Sequence, residues 1–304
     1  MEAPQLRPLG IGDIVDRTFN LYRQRPLPLI ALAAAPYLVL ILAIGVLVLV
    51  FGRSLAGFAP VLDAVNRSPG APLSPATIGG LADAVVAFIS FAIVAVVIAI
   101  VLLSAQSAAL VDASVSQYLG RTKTVGASFA AGVRAAPGVI GAGLLVFLAF
   151  VLLWTLLVVV FFISRDALVV GLGSIGGVIL SVFLFASWVV APCVVTIEGA
   201  GPILALRRSW ALATGNRWRI LGLQLLLVIL QVVLSGLISF VFLAAFTVGD
   251  QVVRLVVQQL VNFASTILWV PVEWGATALL YTDLRVRREG FDLQLAAEAL
   301  PRDA

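Results

Sequence analysis

Apolar residues gather into six long stretches, at 27–51, 81–111, 138–163, 167–197, 220–247 and 252–282. A membrane-crossing helix needs about 20 mostly apolar residues at about 1.5 Å rise each, and all six stretches meet that length. None shows the alternation over about ten residues that marks a barrel strand. The pattern predicts an all-α, polytopic integral membrane bundle of six transmembrane helices, forming one membrane domain over 1–304. Within it, 1–26 is an amphipathic segment, 27–282 the six-span bundle and 283–304 a polar tail.

Shorter segments show a 3.6-residue period instead. Ile11, Ile14, Val15, Thr18 and Tyr22 share one helix face, and Asp13, Asp16, Arg17 and Asn20 the other. Asp13 is placed as the N-cap and Asp16 in the first turn, with Arg23 and Arg25 at the far end, an order that complements the helix dipole. Before the fifth span, Ile203, Leu206, Trp210 and Ala213 make a stripe beside Arg207 and Arg208; a weaker counterpart lies at 125–134. Such helices are expected in the headgroup layer. Residues 53–80, rich in Pro, Ser and Gly, read as an irregular loop with a short helix near 60–66.

The chain also repeats itself. Asp112, Glu198 and Asp283 close the second, fourth and sixth spans at spacings of 86 and 85 residues. Thr18-Phe19, Ser128-Phe129 and Ser209-Trp210 precede the odd spans. The unit is an amphipathic helix followed by a helical hairpin, three times over. All copies enter from one side, so the repeat is parallel. A carboxylate at a helix C-terminus faces the negative end of the dipole and calls for a cation. Asp112, Glu198 and Asp283 are therefore candidates to pin the amphipathic helices to the bundle, with Arg207, Arg208 and Arg285 as partners. The alternative is a solvated carboxylate, since exposed pairs contribute only about 0–1 kcal/mol.

Composition narrows the chemistry. The chain is 62% apolar and 11% charged, against about 45–50% and about 25% for soluble domains. With no histidine there is no Ser-His-Asp triad and no imidazole metal ligand. With Cys193 alone there is no intrachain disulfide or thiolate cluster. No enzymatic activity, cofactor or metal is expected. Fifteen of the 19 Lys and Arg fall on the side holding both termini and loops 2–3 and 4–5; only Arg53, Arg67, Arg165 and Arg254 fall on the other. The positive-inside rule then puts both termini in the cytoplasm, and the basic excess reads as topology, not nucleic-acid binding. An alanine-rich chain favouring Arg over Lys points to a GC-rich bacterium and hence its plasma membrane.

Polar residues inside the spans are the remaining candidates. Gln224, Gln231, Ser235 and Ser239 share a face of the fifth span, and Gln258, Asn262, Thr266 and Glu273 a face of the sixth. Two readings stay open: interhelical hydrogen-bond glue, or a polar seam that admits a headgroup, ion or solute. Glu273 lies ten residues inward from Asp283 and is the sharper functional candidate. Gly173, Gly177 and Ser181 form a small-residue stripe for close helix packing, within the chain or in an oligomer.

Three places carry a resemblance. The first is Gly12-Asp13-Ile14-Val15-Asp16-Arg17-Thr18-Phe19 with Leu21-Tyr22-Arg23. The second is Glu198-Gly199, Gly201-Pro202, Ala205, Arg208-Ser209-Trp210, Leu212, Thr214-Gly215 and Trp218-Arg219. The third runs from Leu279 through Tyr281-Thr282-Asp283-Leu284-Arg285 to Asp292. Over nearly the whole chain these resemble bacterial proteins of the glycerophosphoryl diester phosphodiesterase membrane domain family. The resemblance implies a stand-alone membrane module without the catalytic barrel that some relatives carry, since about twenty residues follow the last span and histidine is absent. Glu273 and Trp274 depart from the ordinary apolar residues of such proteins, so no family role is carried onto them. The expected function is a non-catalytic module that binds membrane lipids or a membrane-protein partner as an envelope accessory, and a homo-oligomer is compatible with it. The competing expectation is a transporter, channel or lipid-translocating protein that uses the seam.

Overall fold

The computed structural model describes residues 8–68, 72–164, 166–242, 250–291 and 293–294. The described residues fold into helices with no strand. In chain order these are α1 (Ile11–Gln24), α2 (Pro26–Leu55), α3 (Phe58–Arg67), α4 (Pro75–Tyr118), α5 (Val125–Ser164), α6 (Ala167–Trp188), α7 (Ala191–Glu198), α8 (Pro202–Ala213), α9 (Arg217–Val241) and α10 (Gln251–Glu289). Among the described residues, six spans are long and apolar enough to cross a membrane: α2, α4, α5, α6 with α7, α9, and α10. The protein is an all-α polytopic membrane bundle.

Several boundaries differ from the sequence reading. The described residues of the 53–80 stretch are largely helical, with α3 among them and α4 starting at Pro75. The 125–134 segment is not a separate interfacial helix but the first turns of α5. Helix α4 runs six residues past Asp112, and α10 six past Asp283, so only Glu198 ends its helix. Asp13 is not the N-cap of α1: Gly10 is, and the Asp13 carboxylate accepts the Gly10 N–H at 2.8 Å from the first turn.

The chain sorts into two compact units. One comprises Ala34–Leu103, the larger part of α2, α3 and the first part of α4. Edge-to-face ring pairs, Phe51 with Phe91 and Phe58 with Phe88, join its helices.

The other unit comprises the chain up to Ala33 and from Ser104 onward. Its core includes Leu9, Ile14, Ala108, Val111, Val194, Ala205, Leu212, Ile220, Leu223, Ala276, Leu279 and Leu284. These residues lie where α4 and α10 finish and α5 and α9 begin, the end of the unit that carries most of its arginines (the basic end). The apolar stretches behave differently. The most apolar 18 residues of α5 contain no buried residue, and those of α6–α7, the best covered, are 39% buried. Lipid tails are as apolar as leucine, so the bilayer gives helices no hydrophobic reason to cover one another. Water does give that reason, and the core forms at the basic end, where the charged side chains gather.

Glycines let α5 seat its neighbours. A Cβ at Gly132 would stand 2.3 Å from the Ala105 carbonyl oxygen on α4; at Gly138, 2.7 Å from Val195 on α7; at Gly141, 2.6 Å from Pro202 at the start of α8. Helix α8 therefore lies directly against α5. Gly177 of the small-residue stripe faces Leu157 of α5, 2.3 Å from where its Cβ would be, and the Ser181 hydroxyl donates to the Gly177 carbonyl. Gly173 also meets Leu157, so this stripe packs within the chain.

Helix α1 buries Ile14 and Thr18 and leaves Asp13, Asp16 and Asn20 exposed, as its periodicity predicts. Its apolar face is spent on protein rather than on lipid: Ile11 reaches Gly222 of α9, and Thr18 reaches Gly275 of α10. Helix α8 differs. It buries Ala205, Ser209, Leu212 and Ala213, while Ile203 (67% exposed) and Trp210 of the predicted stripe face outward.

Candidate functional site

Charged side chains converge at the basic end, each supplied by a helix terminus or the segment beside it. Asp283 of α10 is the centre. Its side chain has no exposed surface. Its Oδ1 accepts the Leu9 N–H at 2.7 Å, and its Oδ2 lies 3.0 Å from Arg219 and 3.0 Å from Arg287. Both guanidiniums also donate to the Leu9 carbonyl. The peptide just before α1 is thus held at both its N–H and its C=O. Charge-assisted bonds of this kind are about twice as strong as neutral ones.

Glu198 forms the second junction. It accepts from Arg208 Nε at 2.6 Å and from the Tyr281 hydroxyl at 2.7 Å. Arg208 also pairs with Glu289 at 2.6 Å, so one guanidinium ties α7, α8 and α10 together. The hydrogen bond to Glu198 is the main reason the Arg208 pKa is raised further above its ordinary value, against the opposing cost of burial. Arg285 pairs with Glu289 at 3.1 Å and stacks over Phe291, 4.1 Å from the ring centre.

Asp112 is the lightest junction, with Lys123 at 2.6 Å and its buried Oδ2 without a hydrogen-bond partner. Nearby, Arg17 donates to the Tyr118 hydroxyl at 2.8 Å and Gln117 to the Leu21 carbonyl at 2.9 Å, fastening α1 to the end of α4.

Each of the three acids therefore meets a cation, but mostly not the expected one. Arg208 stands beside Glu198. Arg285 serves Glu289, and Arg207 pairs with no described carboxylate. Lys123, Arg219, Arg287 and Glu289 do the remaining work. The sequence carries a signal for two of these links, the i,i+4 spacings Asp283–Arg287 and Arg285–Glu289. It carries none for Arg219, which lies 64 residues from Asp283.

The polar seam is more open than expected. Gln231, Gln258 and Asn262 are exposed, while Gln224, Ser235, Thr266 and Glu273 are half-buried. The described hydrogen bonds run along α10 itself: Asn262 donates to Gln259 at 3.3 Å, and Thr266 to the Asn262 carbonyl. Among the described residues no hydrogen bond joins the two faces. The Gln224 amide nitrogen is buried without a partner.

A groove opens where α8 crosses α5 and α6. It is an open groove of about 640 Å³ lined by Leu145, Trp188, Ile203, Leu206, Arg207 and Trp210. The indole of Trp210 packs edge-on against Phe183 (5.5 Å) and beside Trp188 (6.1 Å). Arg217 lies over Phe183 at 4.2 Å and Trp210 at 5.0 Å, and donates to the Ser187 hydroxyl at 2.9 Å. The Ser187 carbonyl near the end of α6 accepts from the Ser209 hydroxyl of α8 at 2.8 Å.

No family model, curated protein or solved structure matches the chain.

Proposed function

We propose that the chain is a non-catalytic integral membrane module of a bacterial plasma membrane that binds lipid, with both termini cytoplasmic. One observation carries this reading. Glu198, Asp283 and Glu289 at the basic end are paired with neighbouring cations of the same chain, whereas the groove beside α8 is apolar with a single cation on its wall. Paired charges hold helices together; an open apolar groove with one cation invites an amphiphile. We also propose kinship with the stand-alone modules of the glycerophosphoryl diester phosphodiesterase membrane domain family, on the three motif regions that carry the resemblance. Binding of a membrane-protein partner or a second copy belongs to the same reading.

Purification into native-membrane discs, followed by mass spectrometry, tests it. Bound lipid or a stoichiometric protein, without turnover, is expected. A competing transport reading draws on the unpartnered Gln224 amide and the half-buried Glu273. Solute or lipid flux in proteoliposomes that Glu273→Gln abolishes would replace the binding reading with this one.

The orientation has its own test. A reporter fused after Ala304 should read as cytoplasmic and one inserted after Arg67 as extracytoplasmic. The reverse result would overturn the topology drawn from the 15-to-4 basic bias.

A further inference from the structure

We infer that the groove between α8 and the α5–α6 hairpin holds one anionic glycerophospholipid, with its phosphate on Arg207 and an acyl chain along Leu145, Leu206 and Ile203. The inference rests on the lipid-binding reading and specifies its site and ligand.

Helix α8 is two-faced in an unusual way. Ala205, Ser209 and Leu212 are buried against the bundle, yet the opposite side still shows Ile203, Leu204 and Trp210. A helix exposed to water on that side would be polar there. One exposed to acyl chains would not. Leu145 continues the apolar wall into the span, flanked by Leu144 and Leu148, both exposed. The groove thus leads from α8 onto the lipid-facing surface of α5.

Charge selects the headgroup. The two adjacent arginines of α8 have different fates. Arg208 is consumed by Glu198 and Glu289, whereas Arg207 lines the groove with no carboxylate among the lining residues. Arg217 adds a second positive charge next to Trp210, fixed by its stacking and its bond to Ser187. A phosphodiester carries the matching negative charge and accepts two guanidinium N–H bonds. Basic pockets between spanning helices recognise anionic headgroups in this way, and tryptophans such as Trp188 and Trp210 favour the headgroup level. A zwitterionic lipid would bring its own cation toward Arg207 and Arg217, so discrimination against it follows.

The test uses the full chain in mild detergent, titrated with phosphatidylglycerol or phosphatidylcholine of identical chains and read by native mass spectrometry. The first phosphatidylglycerol should be retained at least about fivefold better than phosphatidylcholine, the worth of about one basic residue at a membrane surface. Arg207→Gln should remove that preference. Ile203→Glu, which sets a carboxylate in the groove, should do the same. Both positions are exposed, so folding should be untouched. Arg134→Gln should change nothing, because among the described residues that exposed arginine bonds only a carbonyl of its own helix. Inorganic phosphate should not displace the lipid; full displacement would mean a soluble-anion site and overturn the inference. So would an intact preference in Arg207→Gln. If the wild type retains lipid without headgroup preference, this site assignment fails while the module-level reading stands. If it retains neither lipid nor partner, both fail.

Discussion

Replacing Asp283 with alanine should cost the protein about 3 kcal/mol or more, the usual penalty for removing one partner of a buried ion pair. The loss has three parts. Arg219 (19% exposed side chain) and Arg287 (31%) lose their carboxylate, and the Leu9 N–H loses its acceptor in a buried site. Leu9 is itself in the core, so its release would also loosen the seat of α1. Thermal unfolding in mild detergent should show the lowered midpoint. Limited trypsin digestion should show faster cleavage at Arg17 and Arg23 as α1 lifts off. Asp63→Ala is the control: its pair with Arg67 is exposed on both sides and should contribute under about 1 kcal/mol. An Asp283→Ala protein as stable and as protease-resistant as the wild type would remove the junction from the account of how α1 is held.

Gly132→Ala and Gly177→Ala make the same chemical change and should have opposite outcomes. Alanine in place of a helical glycine contributes about 0.5–1 kcal/mol through reduced backbone entropy loss. At Gly132 the new methyl would stand 2.3 Å from the Ala105 carbonyl oxygen and 2.8 Å from the Ala109 backbone nitrogen. Backbone cannot swing aside, so α4 and α5 must separate at the crossing. The net effect should be a loss within the usual overpacking range of about 1–3 kcal/mol. At Gly177 the obstacle is the Cδ1 end of Leu157, a half-buried side chain that can change rotamer toward lipid. That substitution should be close to neutral or mildly stabilising. Paired detergent melts of the two variants decide the matter. Equal effects would mean that the α4–α5 crossing is not the tight contact described.

The contrast between those glycines shows where sequence reading runs out. Gly173, Gly177 and Ser181 announce themselves by spacing, and they do pack closely, yet their contact is the more forgiving one. Gly132 sits in a segment read as a weak interfacial helix. Its importance comes from α4, which approaches from a different part of the chain. The acids behave alike. Asp112, Glu198 and Asp283 stand out because charge is scarce in an apolar chain, and a scarce charge must be neutralised. Which cation does so depends on how α7, α8, α9 and α10 end relative to one another. Arg208 and Arg207 are adjacent in sequence, but a turn of about 100° between consecutive helical residues sends one to Glu198 and the other to the groove.

The intramembrane amides illustrate the same limit from the other side. The spacing of Gln224, Gln231, Gln258 and Asn262 puts them on helix faces. It does not say whether those faces meet. Gln231, Gln258 and Asn262 are exposed, as is most of the apolar stretch of each of the two helices.

What the amino-acid sequence determined by itself was the solvent. Long apolar runs, few charges and a one-sided arginine distribution require a membrane bundle of helices, because backbone polar groups in hydrocarbon must be satisfied within each helix. Amphipathic period and scarce acids further marked α1, α8 and the three junction carboxylates, since these are local or compositional signals. Tertiary structure alone decided which arginine meets which acid, that the face of α1 rests on protein while that of α8 looks outward, and that Leu145, Trp188 and Arg207 share a groove. Those facts depend on distances between segments far apart in the chain. In a bilayer, where apolar burial does little to dictate which helices touch, local sequence leaves those distances open, and the close contacts of glycine and the ion pairs of the basic end fix them.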